Sequence, residues 1–120
     1  MIKLVYAIRR RSELSPEAFR ARWLAHAPLV ARFAAAMRAV RYVQSHTLDS
    51  RWNGALAASR GAAPAYDGIT EVWWESEAAF AAALATPEGQ EAGRALLEDE
   101  RAFIDFAASS LFLTEEHPIF

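Results

Sequence analysis

The spacing of apolar residues changes from two to about 3.6 within the first 33 positions, and no other feature limits the fold as strongly. Ile2, Leu4, Tyr6 and Ile8 alternate with Lys3, Val5, Ala7 and Arg9, which predicts a half-buried strand. Ser15 then offers an N-cap and Pro16 a favourable first helical residue. Phe19, Trp23, His26, Val30 and Phe33 follow at spacings of four, three, four and three, one stripe of an amphipathic helix. Pro28 lies inside the stripe and cannot donate to the Leu24 carbonyl, so a kink or break is expected around His26.

A second strand fits Val40 to Leu48, with Tyr42, Gln44 and His46 on one side. Asp49 to Ala65 is rich in Ala, Ser and Gly without a clear period and reads as a mobile loop over about 49–65. A third strand covers Gly68 to Glu75. Ser76 caps a short helix, Thr86-Pro87 opens a longer one running through Leu96, Leu97, Phe103 and Ile104, and a last strand spans Ser110 to Thr114. The order is β-α-β-β-α-β with the second helix in two pieces. Right-handed crossovers turn this order into an α+β, ferredoxin-like antiparallel sheet with the helices on one face. The 120 residues suit a single domain, 1–120.

The two halves carry opposite charge. Residues 1–60 hold eleven Lys/Arg against three Asp/Glu, whereas residues 61–120 hold two Arg against twelve Asp/Glu. The basic residues are dispersed along a helical pattern rather than clustered with stacking aromatics, so mutual neutralisation is expected instead of a nucleic-acid surface. No stretch approaches the ~18 apolar residues of a membrane span. The apolar start followed by three arginines reverses the order of a signal peptide, and the expected location is cytoplasmic. The absence of Cys excludes disulfides and thiolate chemistry.

The first strand's Ile2, Leu4, Tyr6, Ile8 side suits the helices, as does Thr70, Val72, Trp74 of the third. The opposite sides combine Lys3 and Arg9 with Glu71, Trp73 and Glu75, which can meet on one charged and aromatic face. That face predicts a homodimer. The helix-facing side gathers Tyr6, Trp23, His26, Val72 and Trp74, which could enclose a small-molecule cavity or simply fill a core.

His26 is the one His on the apolar helix stripe. It could act as a general acid or base near neutrality, or be a core His bonded to the Leu24 carbonyl. His46, at a sheet edge, and His117, in the tail, read as surface residues. The three are too scattered for a metal site, and no dinucleotide, P-loop or serine-hydrolase motif occurs. No metal and no cofactor are expected. The run Glu98-Asp99-Glu100 borders the last helix's buried stripe, where a salt bridge to an arginine of the first helix is the modest expectation.

Leu14-Ser15-Pro16-Glu17-Ala18-Phe19, Trp23 and His26-Ala27-Pro28-Leu29-Val30 together resemble the leading motif of EthD-type proteins. Arg41-Tyr42-Val43-Gln44, Tyr66-Asp67-Gly68-Ile69, Thr86-Pro87-Glu88-Gly89 and Phe103-Ile104-Asp105 extend the likeness along nearly the whole chain. The resemblance implies a dimeric α/β barrel with a ligand cavity between the sheet and helices of each protomer. It also implies His26 as a pocket residue with Trp23 and Phe19 beside it. Similar proteins of polyketide pathways act without a cofactor as decarboxylases, dehydratases or cyclases. The expected function is therefore a cofactor-independent lyase- or isomerase-type enzyme on a hydrophobic, aromatic or polyketide-like small molecule. In it His26 moves a proton, Tyr6 hydrogen-bonds a developing oxyanion, and Phe19, Trp23, Val72 and Trp74 shape the pocket. The alternative is a non-catalytic small-molecule-binding or accessory protein of a degradation or biosynthesis pathway.

Overall fold

The computed structural model describes residues 1–120. Its elements run β1 (Ile2–Ile8), α1 (Pro16–Met37), β2 (Arg41–His46), α2 (Arg51–Arg60), β3 (Gly68–Trp74), α3 (Glu77–Ala85), α4 (Pro87–Glu100) and β4 (Ser110–Glu115). The strands form one antiparallel sheet in the order β2-β3-β1-β4. With α1, α3 and α4 packed together against one side, this is a ferredoxin-like α+β fold.

Register decides which side chains share a face. Leu4 pairs with Val72 and Leu113, and Tyr6 with Thr70 and Leu111, so the alternating set of β1 lies beside that of β3 beneath the helices. Tyr6 and Ile8 join Phe19, Trp23, Phe103 and Ile104 in one buried cluster. Phe19 and Trp23 sit with ring centroids 5.3 Å apart, and Phe103 packs 6.1 Å from Phe19. Trp23 also lies directly over Gly68. A Cβ there would come within 2.3 Å of the indole, so this close approach of ring to strand requires glycine.

Three sequence expectations change. First, residues 49–65 are not a loop throughout: α2 occupies Arg51–Arg60, capped by the Ser50 side chain and closed by Gly61 at φ 59°. Its run of Ala supplies helix propensity without amphipathicity, because no α2 side chain is buried, and hence no period marks it. Second, α1 runs unbroken through Pro28. Leu24, four residues earlier, lies on the exposed side of the helix, where a carbonyl deprived of its helical donor can turn to water. Third, α4 stops at Glu100, before Phe103 and Ile104. The backbone N–H groups of both residues donate to the Glu100 carbonyl, and the tightened turn sends both side chains into the core.

The charge asymmetry resolves into contacts between the halves. Lys3 pairs with Glu71 at 2.7 Å, Arg10 with Asp67 at 2.9 Å, and Arg22 of α1 with Asp99 of α4. Arg9 does not reach Glu71 or Glu75. Its guanidinium donates to the Pro64 and Ala65 carbonyls and stacks on Tyr66 instead. No helix is long and apolar enough to cross a membrane.

Candidate functional site

Between the sheet and helices α1 and α4 lies a cavity of about 150 Å³. Tyr6, Trp23, His26, Val72 and Trp74 all line it. Phe19 does not, because it sits behind Trp23 and Phe103 as core support. Thirteen of the sixteen lining residues are hydrophobic, and the others are His26, Thr70 and Glu100. The chemistry is therefore concentrated at one wall, where α1 meets the end of α4.

The α1 stripe turns His26 inward until it is only 4% exposed. Its Nδ1 lies 2.6 Å from Asp99 Oδ2, not at the Leu24 carbonyl. Asp99 also receives the Arg22 guanidinium on both oxygens, and that pairing, reinforced by His26, lowers its pKa. An ionised carboxylate only accepts, so His26 Nδ1–H donates to it, and in the neutral imidazole Nε2 is then the acceptor. Nε2 in turn lies 3.9 Å from Glu100 Oε2.

Glu100 is the most perturbed carboxyl. Burial raises its pKa to about 7, the neighbouring Asp99 charge adds to the rise, and the Tyr6 hydroxyl offsets part of it. Tyr6 is itself pushed well above its ordinary range, chiefly by burial and then by the Glu100 charge, so its hydroxyl remains a proton-bearing donor. The result is a line of groups, Arg22, Asp99, His26, Glu100 and Tyr6, running from the helix surface to the cavity wall. Two adjacent acids thus behave differently. Asp99 stays charged and orients His26, whereas Glu100 exchanges a proton near neutrality.

The aromatic walls are tied in place. Trp74 Nε1–H donates to the Met37 carbonyl at 2.7 Å, and Phe80 meets the Trp74 ring at 4.8 Å, edge to face. Gln44 Nε2 donates both to the Trp23 carbonyl and to the Tyr42 hydroxyl, each at 2.9 Å. His46 is half-buried rather than fully at the surface. It stacks on Trp23 at 4.3 Å, and burial, with Arg20 nearby, lowers its pKa. No group of three or more His, Asp or Glu side chains is arranged to hold a metal ion.

Sequence reasoning identified His26 and the aromatics but missed Glu100 as a cavity residue. The signal was present in the acidic run preceding Phe103 and Ile104. Consecutive acids on a helix diverge by about 100°, and only packing reveals that one meets Arg22 while the next meets Tyr6.

No curated protein matches the sequence. The fold, in contrast, has many solved counterparts. An EthD-family protein from Bacillus halodurans C-125 is 20% identical with a TM-score of 0.63, covering 98% of this chain and 99% of that one. A dimeric ferredoxin-like protein of unknown function from Thermobifida fusca is 16% identical with a TM-score of 0.60, over 96% and 90% of the two chains. SnoaB, a cofactor-independent oxygenase from Streptomyces nogalater, is 19% identical with a TM-score of 0.54, over 98% and 93%. At these identities the likeness concerns the fold. The sequence pattern of the EthD domain, however, matches residues 11–107, which include every residue of the proton-bearing line except Tyr6, and the chain belongs to the EthD family.

Proposed function

We propose that this protein is a cofactor-independent enzyme of lyase or isomerase type that moves a proton on a hydrophobic small molecule held in the cavity between sheet and helices. The observation that carries this reading is the His26–Asp99 pair facing a second carboxyl, Glu100, poised near neutrality on an otherwise apolar wall. Asp99 holds the imidazole in the tautomer whose Nε2 can accept a proton. Glu100, when protonated, can return one to a different atom of the ligand. Tyr6 supplies a hydroxyl to an oxygen on which negative charge develops. Trp23, Val72 and Trp74 hold the ligand and keep water out, which strengthens each of these interactions.

The outer sheet face supports a homodimer. Val5, Val43, Ile69 and Phe112 are apolar residues on the side away from the helices, and Phe112 is half exposed in the protomer. Among them, Lys3 bridges Glu71, and the Trp73 indole donates to Glu116. Similar folds that are described as dimeric accord with this pairing.

One observation favours the non-catalytic alternative: thirteen of the sixteen cavity-lining residues are hydrophobic, which suits a site that only binds as well as one that reacts. A thermal-shift screen of wild type and His26→Asn against phenols, quinones and lactones, followed by turnover assays on each hit, separates the two. Enzyme action predicts turnover that falls 10²- to 10⁴-fold in the variant. Tight binding with no turnover, unchanged by the substitution, would establish a binding protein instead.

A further inference from the structure

The same cavity constrains the class of molecule that enters it, on the reading that it is the ligand site. Its volume is about 150 Å³. An apolar cavity of about this size takes up a single benzene ring. The walls are poorly placed to retreat, since Ile8, Trp23 and Phe103 are at most 1% exposed and packed on one another. Interiors at such packing density resist even one extra methylene.

Charge narrows the class further. The cavity is lined by no Lys and no Arg. The nearest guanidinium, Arg22, is already matched to Asp99 through both carboxylate oxygens. A carboxylate ligand would lose its water without gaining a cation and would face Glu100. An ammonium ligand would lose its water opposite a carboxyl, Glu100, that burial holds toward its neutral form. A hydroxyl or carbonyl meets neither difficulty. The hydroxyl can donate to His26 Nε2 or to Glu100, and either the hydroxyl or the carbonyl can accept from Tyr6. We infer that the cavity takes a neutral, single-ring molecule bearing a hydroxyl or an enolisable carbonyl, and discriminates against carboxylates, amines and fused polycycles.

Calorimetric titration at pH 7 with 4-methylphenol, 4-methylbenzoate, 4-methylbenzylamine and 9-phenanthrol tests this. Nuclear Overhauser contacts from each ring to the Ile8 and Val72 methyl groups report whether it lies in the cavity. The expected Kd for 4-methylphenol is at least tenfold below that of the other three, although 9-phenanthrol is the most hydrophobic, and only 4-methylphenol shows the contacts. Val72→Phe should weaken 4-methylphenol at least tenfold, and because the contacts are read on wild type the test survives if that variant fails to fold. Equal or tighter binding of benzoate, amine or phenanthrol with the same contacts would overturn the ligand class and leave the site standing. If no probe shows those contacts at millimolar concentration, both the ligand class and the cavity as ligand site are refuted.

Discussion

Replacing Glu100 by Gln should make the protein more stable at alkaline pH than the wild type, and the size of the gain follows from the burial of that carboxyl. Its pKa rises from an ordinary 4.5 to about 7 on folding, mainly through desolvation. The folded state therefore holds this proton more tightly than the unfolded chain does. Stability falls as pH rises from about 4.5, and the loss is complete above about pH 7 to 8. At about 1.4 kcal/mol for each tenfold change in the ionisation constant, full ionisation costs about 3 kcal/mol. Glu100→Gln keeps the shape and a partner for Tyr6 but has no charge to desolvate. The groups facing it, Tyr6 from β1, His26 from α1 and Asp99 beside it on α4, are common to both proteins. Chemical denaturation of the two between pH 5 and pH 8 should show the variant gaining about 2 to 3 kcal/mol on the wild type, a Tm difference on the order of 10 °C. Curves that stay parallel across that range would refute the argument, because they would mean that Glu100 ionises in the folded protein as freely as in the unfolded one.

Three further outcomes follow from the same geometry. Asp99→Asn removes the negative charge that fixes the His26 tautomer and matches Arg22, so activity on any substrate found should fall at least 10²-fold while circular dichroism shows the fold retained; unchanged turnover would detach Asp99 from the mechanism. Gly68→Ala places a Cβ against the Trp23 ring and the Ser45 carbonyl, and should cost about 1–3 kcal/mol by overpacking, with a changed Trp fluorescence spectrum; a variant of wild-type stability would show that the ring can move aside. Phe112→Glu puts a charge on the half-exposed aromatic of the outer sheet face, and sedimentation should show a shift from dimer to monomer; a dimer of unaltered strength would place the interface elsewhere.

Most of the cavity's lining is apolar, and its ionisable groups stand together near the junction of α1 with the end of α4. Arg22 there neutralises Asp99 and holds its carboxyl below the ordinary carboxylate range. Losing Arg22 would leave Asp99 and Glu100 as adjacent, uncompensated acids. Arg22 does not line the cavity and bears on it only through Asp99 and His26.

The order of the strands and of the helices that cover the sheet, the burial of the Phe19-Trp23-His26-Val30 stripe and the helix-facing side of β1 and β3 were legible in the residue pattern alone. Each of these is a periodic pattern written in consecutive residues, and periodicity is local information. It also placed His26 among Tyr6, Trp23, Val72 and Trp74, because a stripe on α1 and alternation on two strands leave little choice of neighbour. What it could not convey was α2, whose Ala-rich segment buries nothing and so has no period to read. Nor could it distinguish Asp99 from Glu100. Adjacent in sequence and alike in chemistry, they differ only because helix packing turns one toward a guanidinium and the other toward a dry wall and a tyrosine. Phe19 was assigned to the pocket for a similar reason, since a stripe shows which residues are inside but not which touch the void. Contacts between residues more than seventy positions apart decide those questions, and only the tertiary structure brings such residues together.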